Sequence, residues 1–207
     1  MDGEEKLASL LCARMSHDLA GPIGAVSAGA ELLADSSAGV DREAIELIGE
    51  NARNLTERLR FYRVAFGVDG GGEADIEGLH KLAINFARAP STNVPFTLDW
   101  AVTKLADKAG ERLLANLLLL AAGTLMRGGV VRLVANGPAM MAEVTGTSLK
   151  LAEETPKALA LSLPFEELTP RTAQPYLIGL LAKRINCRAR ATANADNVCF
   201  EIKTCLD

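Results

Sequence analysis

Between Glu4 and Ala34 the apolar residues Ala8, Leu11, Met15, Leu19, Pro22, Val26, Ala30 and Leu33 recur in steps of three and four. That spacing predicts one long helix with a single apolar stripe. After a turn-forming stretch at 35–40, Asp41 is placed to cap a second helix, whose stripe is Ile45, Ile48, Ala52, Leu55, Leu59, Tyr62 and Phe66. The short connection makes the two helices antiparallel neighbours, each about 40 Å long at a rise of about 1.5 Å per residue. A hairpin has no third wall, so two helices alone cannot hide both stripes from water. A second copy closes the gap, which predicts a homodimer joined through a four-helix bundle.

The run Gly67-Val68-Asp69-Gly70-Gly71-Gly72 ends this pattern and marks a boundary between a hairpin domain, 1–68, and a second domain, 73–207. No Lys-Ser/Thr follows the glycines, so they do not form a phosphate-binding loop. Beyond them the pattern predicts a helix at 75–87, a strand at 94–100 and a helix at 104–127. Strands follow at 130–135 and 140–146, with a further candidate at 148–152. A short helix at 156–161, a helix at 172–185 and a hairpin of 188–193 with 198–204 complete the chain. Mixed strands with helices on one side describe a two-layer α/β sandwich, so the fold class is α plus α/β.

Composition narrows the function. The 207 residues carry a formal charge of -4, which lacks the cationic surface that phosphate-backbone binding needs and so argues against nucleic acid as a partner. The apolar run at 113–126 is shorter than the roughly 18 residues a membrane span requires, and the acidic start MDGEEKLASLL has no basic leader pattern. No membrane association and a cytoplasmic location are the expectation. Cys12, Cys187, Cys199 and Cys205 form no CxxC pair and have only two histidines for company, so neither a zinc site nor a disulfide framework is suggested.

One of those histidines is placed for chemistry. At about 100° per residue, His17 points roughly 180° from the mean direction of Met15 and Leu19, and so faces solvent. Imidazole can be nucleophile and leaving group near neutral pH. By position alone an ordinary surface histidine is the better reading, but its neighbours shift the balance. Asp18 follows directly, so a carboxylate can orient the imidazole or move a proton, making His17 and Asp18 a candidate catalytic pair. Pro22 removes the backbone hydrogen bond to the carbonyl of Asp18 and is expected to bend the helix just beyond the site.

The composite His17-Asp18-Leu19-x-x-Pro22-Ile23 resembles the phosphoacceptor motif of sensor histidine kinases. The longer string Leu11 to Leu19 with Glu31-Leu32-Leu33, together with the segment from Arg171 to Ala182, is similar to a narrower family, the ChpT-type histidine phosphotransferases of bacterial cell-cycle phosphorelays. This resemblance implies that the second domain is a degenerate histidine-kinase ATP-binding (Bergerat) domain. Aligned with the kinase asparagine motif, Asn116 to Gly123 puts Leu120 where magnesium would be held and Gly123 where a lysine would stand. An aliphatic side chain cannot ligate a hard cation, and Asn116 itself reads as a surface or capping residue. The segment 144–148 lacks the adenine-reading aspartate, and 169–175 has no glycine to supply backbone donors to phosphate. No ATP site, no metal site and no cofactor are therefore expected in this chain.

The resemblance implies an ATP-independent histidine phosphotransferase that shuttles a phosphoryl group through His17 between receiver-domain aspartates. The donor would be the receiver of a hybrid histidine kinase and the acceptors response-regulator receivers, with Mg2+ held by the receiver. Arg14, one turn before His17, is placed to meet an acidic receiver or the moving phosphoryl group, or is simply solvated. Counted back along the hairpin, His17 lies opposite 59–63, which makes Arg60 and Arg63 secondary receiver-binding candidates. Gly21 and Gly24 leave room for a partner helix, or serve packing within the bundle. Two other readings stay open at this point, an active sensor-kinase core and a non-catalytic dimeric adaptor of two-component signalling. His80 and Trp100 are expected to be structural, with Trp100 at a strand end and in the core.

Overall fold

A computed structural model describes residues 3–35, 42–67, 72–88 and 94–205. The turn at 36–41 with its Asp41 cap, and linker residues 68–71, lie outside the described residues. Two long helices open the chain, α1 (Gly3–Asp35) and α2 (Arg42–Phe66). The stripe residues Leu11, Met15 and Leu19 of α1 pack against the main apolar core. Helix α1 continues through Pro22, whose side chain is buried. The two helices meet closely at Gly29, where a Cβ would stand 2.7 Å from Ile48 Cγ1.

Then come α3 (Ile76–Arg88), β1 (Thr97–Lys104), α4 (Lys108–Ala122), β2 (Val130–Asn136) and β3 (Ala139–Thr145). They are followed by α5 (Thr155–Leu159), a 3-10 turn at Phe165–Glu167, α6 (Pro170–Arg184), β4 (Cys187–Ala193) and β5 (Asn197–Thr204). The five strands form one sheet in the order β1-β2-β3-β5-β4. The β1/β2 pair is parallel and the other pairs are antiparallel. Along β2, residues Val131, Leu133 and Ala135 are buried while Val130, Arg132 and Asn136 are exposed. That period of two buries one face under the helices and leaves the other to water, as a two-layer arrangement requires.

Several boundaries depart from the sequence pattern; β1 starts at Thr97, not 94, and α4 ends at Ala122, not 127. The stretch 148–152 contributes a single bridge, Leu125 to Leu149, made by Met126 N donating to Ser148 O and Lys150 N donating to Thr124 O, with no ladder continuing from it. Strand β1 extends to Lys104, and α4 starts only after Asp107, whose side chain accepts from Gly110 N and closes the first turn. Trp100 accordingly sits inside β1, half-buried at the rim of the core, with His80 of α3 stacked on it at 4.7 Å between ring centroids.

The core does not stop at the glycine-rich boundary. Phe61, Tyr62 and Ala65 of α2 belong to the same apolar cluster as α3, α4, α6 and the sheet. Phe61 stacks on Phe86 at 4.6 Å. The end of α2 is capped from the other part of the chain, since Asn116 Nδ2 donates to Ala65 O at 2.6 Å and Arg112 Nε donates to the same carbonyl at 3.3 Å. Asn116 is thus a capping residue, but of a neighbouring helix and fully buried. Elsewhere on the hairpin an apolar line stays uncovered: Ile45, Ala52 and Leu59, seven residues apart on α2, are all exposed, Ile45 by 46% and Leu59 by 45%. Ile23 and Ala30 on α1 are exposed as well.

Candidate functional site around His17

His17 lies midway along α1 with 88% of its side chain exposed. Its Nδ1 is 3.5 Å from Asp18 Oδ1, and the carboxylate beside it is not free to turn. Arg14 Nε donates to Asp18 Oδ2 at 2.9 Å, across one helical turn. Tyr62 Oη, reaching over from α2, donates to the same oxygen at 3.3 Å. Two helices therefore fix one carboxylate oxygen and leave the other on the Nδ1 side of the imidazole. Tyr62 is buried, and that burial, with the Asp18 charge second, pushes its phenol up from 10.0 to about 12; the charge and hydrogen bond of Arg58 work in the opposite direction. The hydroxyl thus stays protonated, and a donor, across the physiological range.

Beside His17 a cleft of about 930 Å³ opens between α1 and the second half of the chain. Arg14, His17 and Asp18 form one wall, and Leu120, Gly123 and Met126 are on the other. Lys150 and Arg171 bring positive charge to it, Glu154 and Glu167 negative charge. At its far side the N-terminus of α6 is closed by its own side chains. Thr169 Oγ1 accepts from Thr172 N, Thr172 Oγ1 accepts from Thr169 N, and Pro170 has no N–H to offer. Among the described residues no three His, Cys, Asp or Glu side chains converge to hold a metal ion, and no helix is long and apolar enough to cross a membrane.

The structure gathers three of the sequence candidates, His17, Asp18 and Arg14, into one contact group. Arg14 is paired with Asp18 instead of reaching freely outward, although its Nη2 also stands 3.9 Å from a Cβ built on Gly123 at the cleft. The remaining candidates are not part of that group. Arg60 is exposed and its Nη1 donates to Glu57 Oε1 at 2.7 Å, while Arg63 is exposed one residue from Tyr62. Gly21 and Gly24 are exposed, and a Cβ on Gly24 would meet nothing within 4 Å, so the glycine that admits a neighbouring helix within the chain is Gly29. Tyr62 is the residue the pattern reading missed, because it was counted in the α2 stripe. Its signal was the hydroxyl, which in a buried position has to find a partner.

Comparison with known proteins gives three results. A family model described as the histidine phosphotransferase C-terminal domain matches residues 83–197. A protein of Brucella abortus (strain 2308), the protein phosphotransferase ChpT, is 34% identical over 203 residues, covering 94% of this chain and 93% of that protein. Among solved structures, a bacterial phosphotransferase superposes with a TM-score of 0.79 at 30% identity and covers 96% of each chain.

Proposed function

The chain belongs to the ChpT-type histidine phosphotransferases and is a phosphotransferase of two-component signalling; on that premise we propose that His17 is its phosphoacceptor, relaying a phosphoryl group between receiver aspartates without using ATP. The observation that carries this reading is the exposed imidazole whose Nδ1 side is backed by a carboxylate held by two donors. With the proton on Nδ1, the lone pair of Nε2 faces outward and can attack in line. The N–P bond forms as the P–O bond of the donor's aspartyl phosphate breaks, and the donor carboxylate leaves with the electron pair. The imidazolium that results keeps its Nδ1 proton against Asp18, where the negative charge stabilises it. On return, an acceptor carboxylate oxygen attacks phosphorus and the neutral imidazole leaves. Such a transfer is loose at phosphorus, so positioning and charge supply most of the catalysis.

Independence from ATP is supported by the second domain's own side chains. Leu120 lines the cleft where the resemblance places a magnesium ligand, and at the α6 N-terminus Pro170 has no N–H while Thr172 N donates to the Thr169 cap. Dimerisation is supported by the uncovered line Ile45, Ala52 and Leu59, whose spacing of seven is that of a helix packed along another helix. The cleft beside His17 gives a receiver a second surface to rest on while its aspartate meets Nε2, and metal chemistry at phosphorus would come from the receiver's Mg2+.

The test uses purified full-length protein. Incubation with a receiver carrying labelled phosphate should move label to the wild-type chain and none to His17→Ala, whereas labelled ATP with Mg2+ alone should leave both unlabelled. Label from ATP on His17 would establish an active kinase, and failure of every phosphorylated receiver to load the wild type would leave an adaptor.

A further inference from the structure

The positions of the two donors on Asp18 carry an inference that rests on the phosphoacceptor reading and goes deeper into it. We propose that Tyr62 is a positioning residue for His17: with Arg14 it clamps Oδ2 of Asp18, so that Oδ1 stays beside Nδ1 and the ring is held as the Nδ1–H tautomer with Nε2 free. A carboxylate next to solvent rotates about its Cβ–Cγ bond, and either oxygen could face the ring. Here Arg14 Nε at 2.9 Å and Tyr62 Oη at 3.3 Å converge on one oxygen from two different helices, while the other stands 3.5 Å from His17 Nδ1. A lone intrahelical pair such as Arg14 with Asp18, both still partly open to solvent, would hold little orientation. The second helix supplies the constraint, since Tyr62 is itself fixed. Its ring is buried and lies 5.6 Å from that of Phe66. Behind it the buried Arg58 guanidinium stands 5.7 Å over the Phe86 ring of α3 and interacts with the Tyr62 hydroxyl.

The bland alternative is that Tyr62 merely satisfies its hydroxyl on a convenient acceptor, in which case nothing at the imidazole depends on it. Two readouts on the full-length protein separate these. Tyr62→Phe keeps the buried ring and removes only the donor. In the unphosphorylated variant, 15N NMR of the neutral His17 ring should show the Nδ1–H form giving way to a mixture of tautomers. Phosphoryl gain from a saturating phosphorylated receiver should slow by roughly threefold to tenfold, the worth of one hydrogen bond, with the half-saturating receiver concentration unchanged. Arg14→Met, which keeps an unbranched side chain and removes the other donor, should shift the tautomers in the same direction. An unchanged tautomer in Tyr62→Phe overturns the proposal, whether or not transfer slows, because a purely structural role would act through stability alone. Since the NMR readout needs no phosphate, it stands even if the receiver assay removes His17 as the phosphoacceptor.

Discussion

Asp18 is the side chain on which the local chemistry turns, and it is held by a residue 44 positions away. The hydroxyl alone sets Tyr62 apart from the Leu and Ile residues of the α2 stripe, and the sequence does not say which partner it meets, so the pair His17-Asp18 was legible in the sequence and the clamp was not. The clamp has a consequence for stability. Tyr62 titrates near 10.0 when unfolded and at about 12 in the fold, with burial as the main cause. Between those values the folded chain binds the proton more tightly than the unfolded chain. The stabilisation is therefore fully present below pH 10 and is lost as pH rises through 12, by roughly 2 to 3 kcal/mol in all. In urea melts across that window, the stability of the wild type relative to Tyr62→Phe should fall by about this amount. A difference between the two that stays constant with pH would show that the phenol is not buried as described.

At the scale of elements, the long helices could be read directly because a period of 3.6 repeated over many turns outweighs local exceptions such as Pro22. Strand β1 could not be bounded as well. Its inward residues Leu98, Trp100 and Val102 alternate as a strand should, but the decision to extend to Lys104 comes from pairing with β2 and from the Asp107 cap that delays α4. Close contact between elements was equally hidden. A Cβ on Gly179 of α6 would stand 2.5 Å from the carbonyl oxygen of Leu159, a backbone atom of α5 that has little freedom to give. Gly179→Ala should force α5 and α6 apart and destabilise the fold by about 1 to 3 kcal/mol in denaturant melts. Stability equal to wild type would mean that the two helices are not packed this tightly.

For the molecule as a whole, the hairpin leaves an apolar line uncovered in the single chain. Ile45 and Leu59 are nearly half exposed, whereas Phe61 and Ala65 of the same helix are buried. If a second copy covers them, Ile45→Glu with Leu59→Glu should turn a dimer into a monomer in sedimentation while leaving the α/β half folded; a dimer that survives both substitutions would place its interface elsewhere. The chain's own pattern determined two long antiparallel helices, a mixed sheet with helices on one face, and a histidine directed away from the apolar stripe, because each of these is set by short-range periodicity. It did not determine that the end of α2 enters the second half's core, that Asn116 caps it, or that Tyr62 meets Asp18. Those contacts join residues 44 to 51 positions apart, and a spacing of that size has no period along the chain; only the tertiary packing of α2 against α1 and α4 brings the partners within bonding distance.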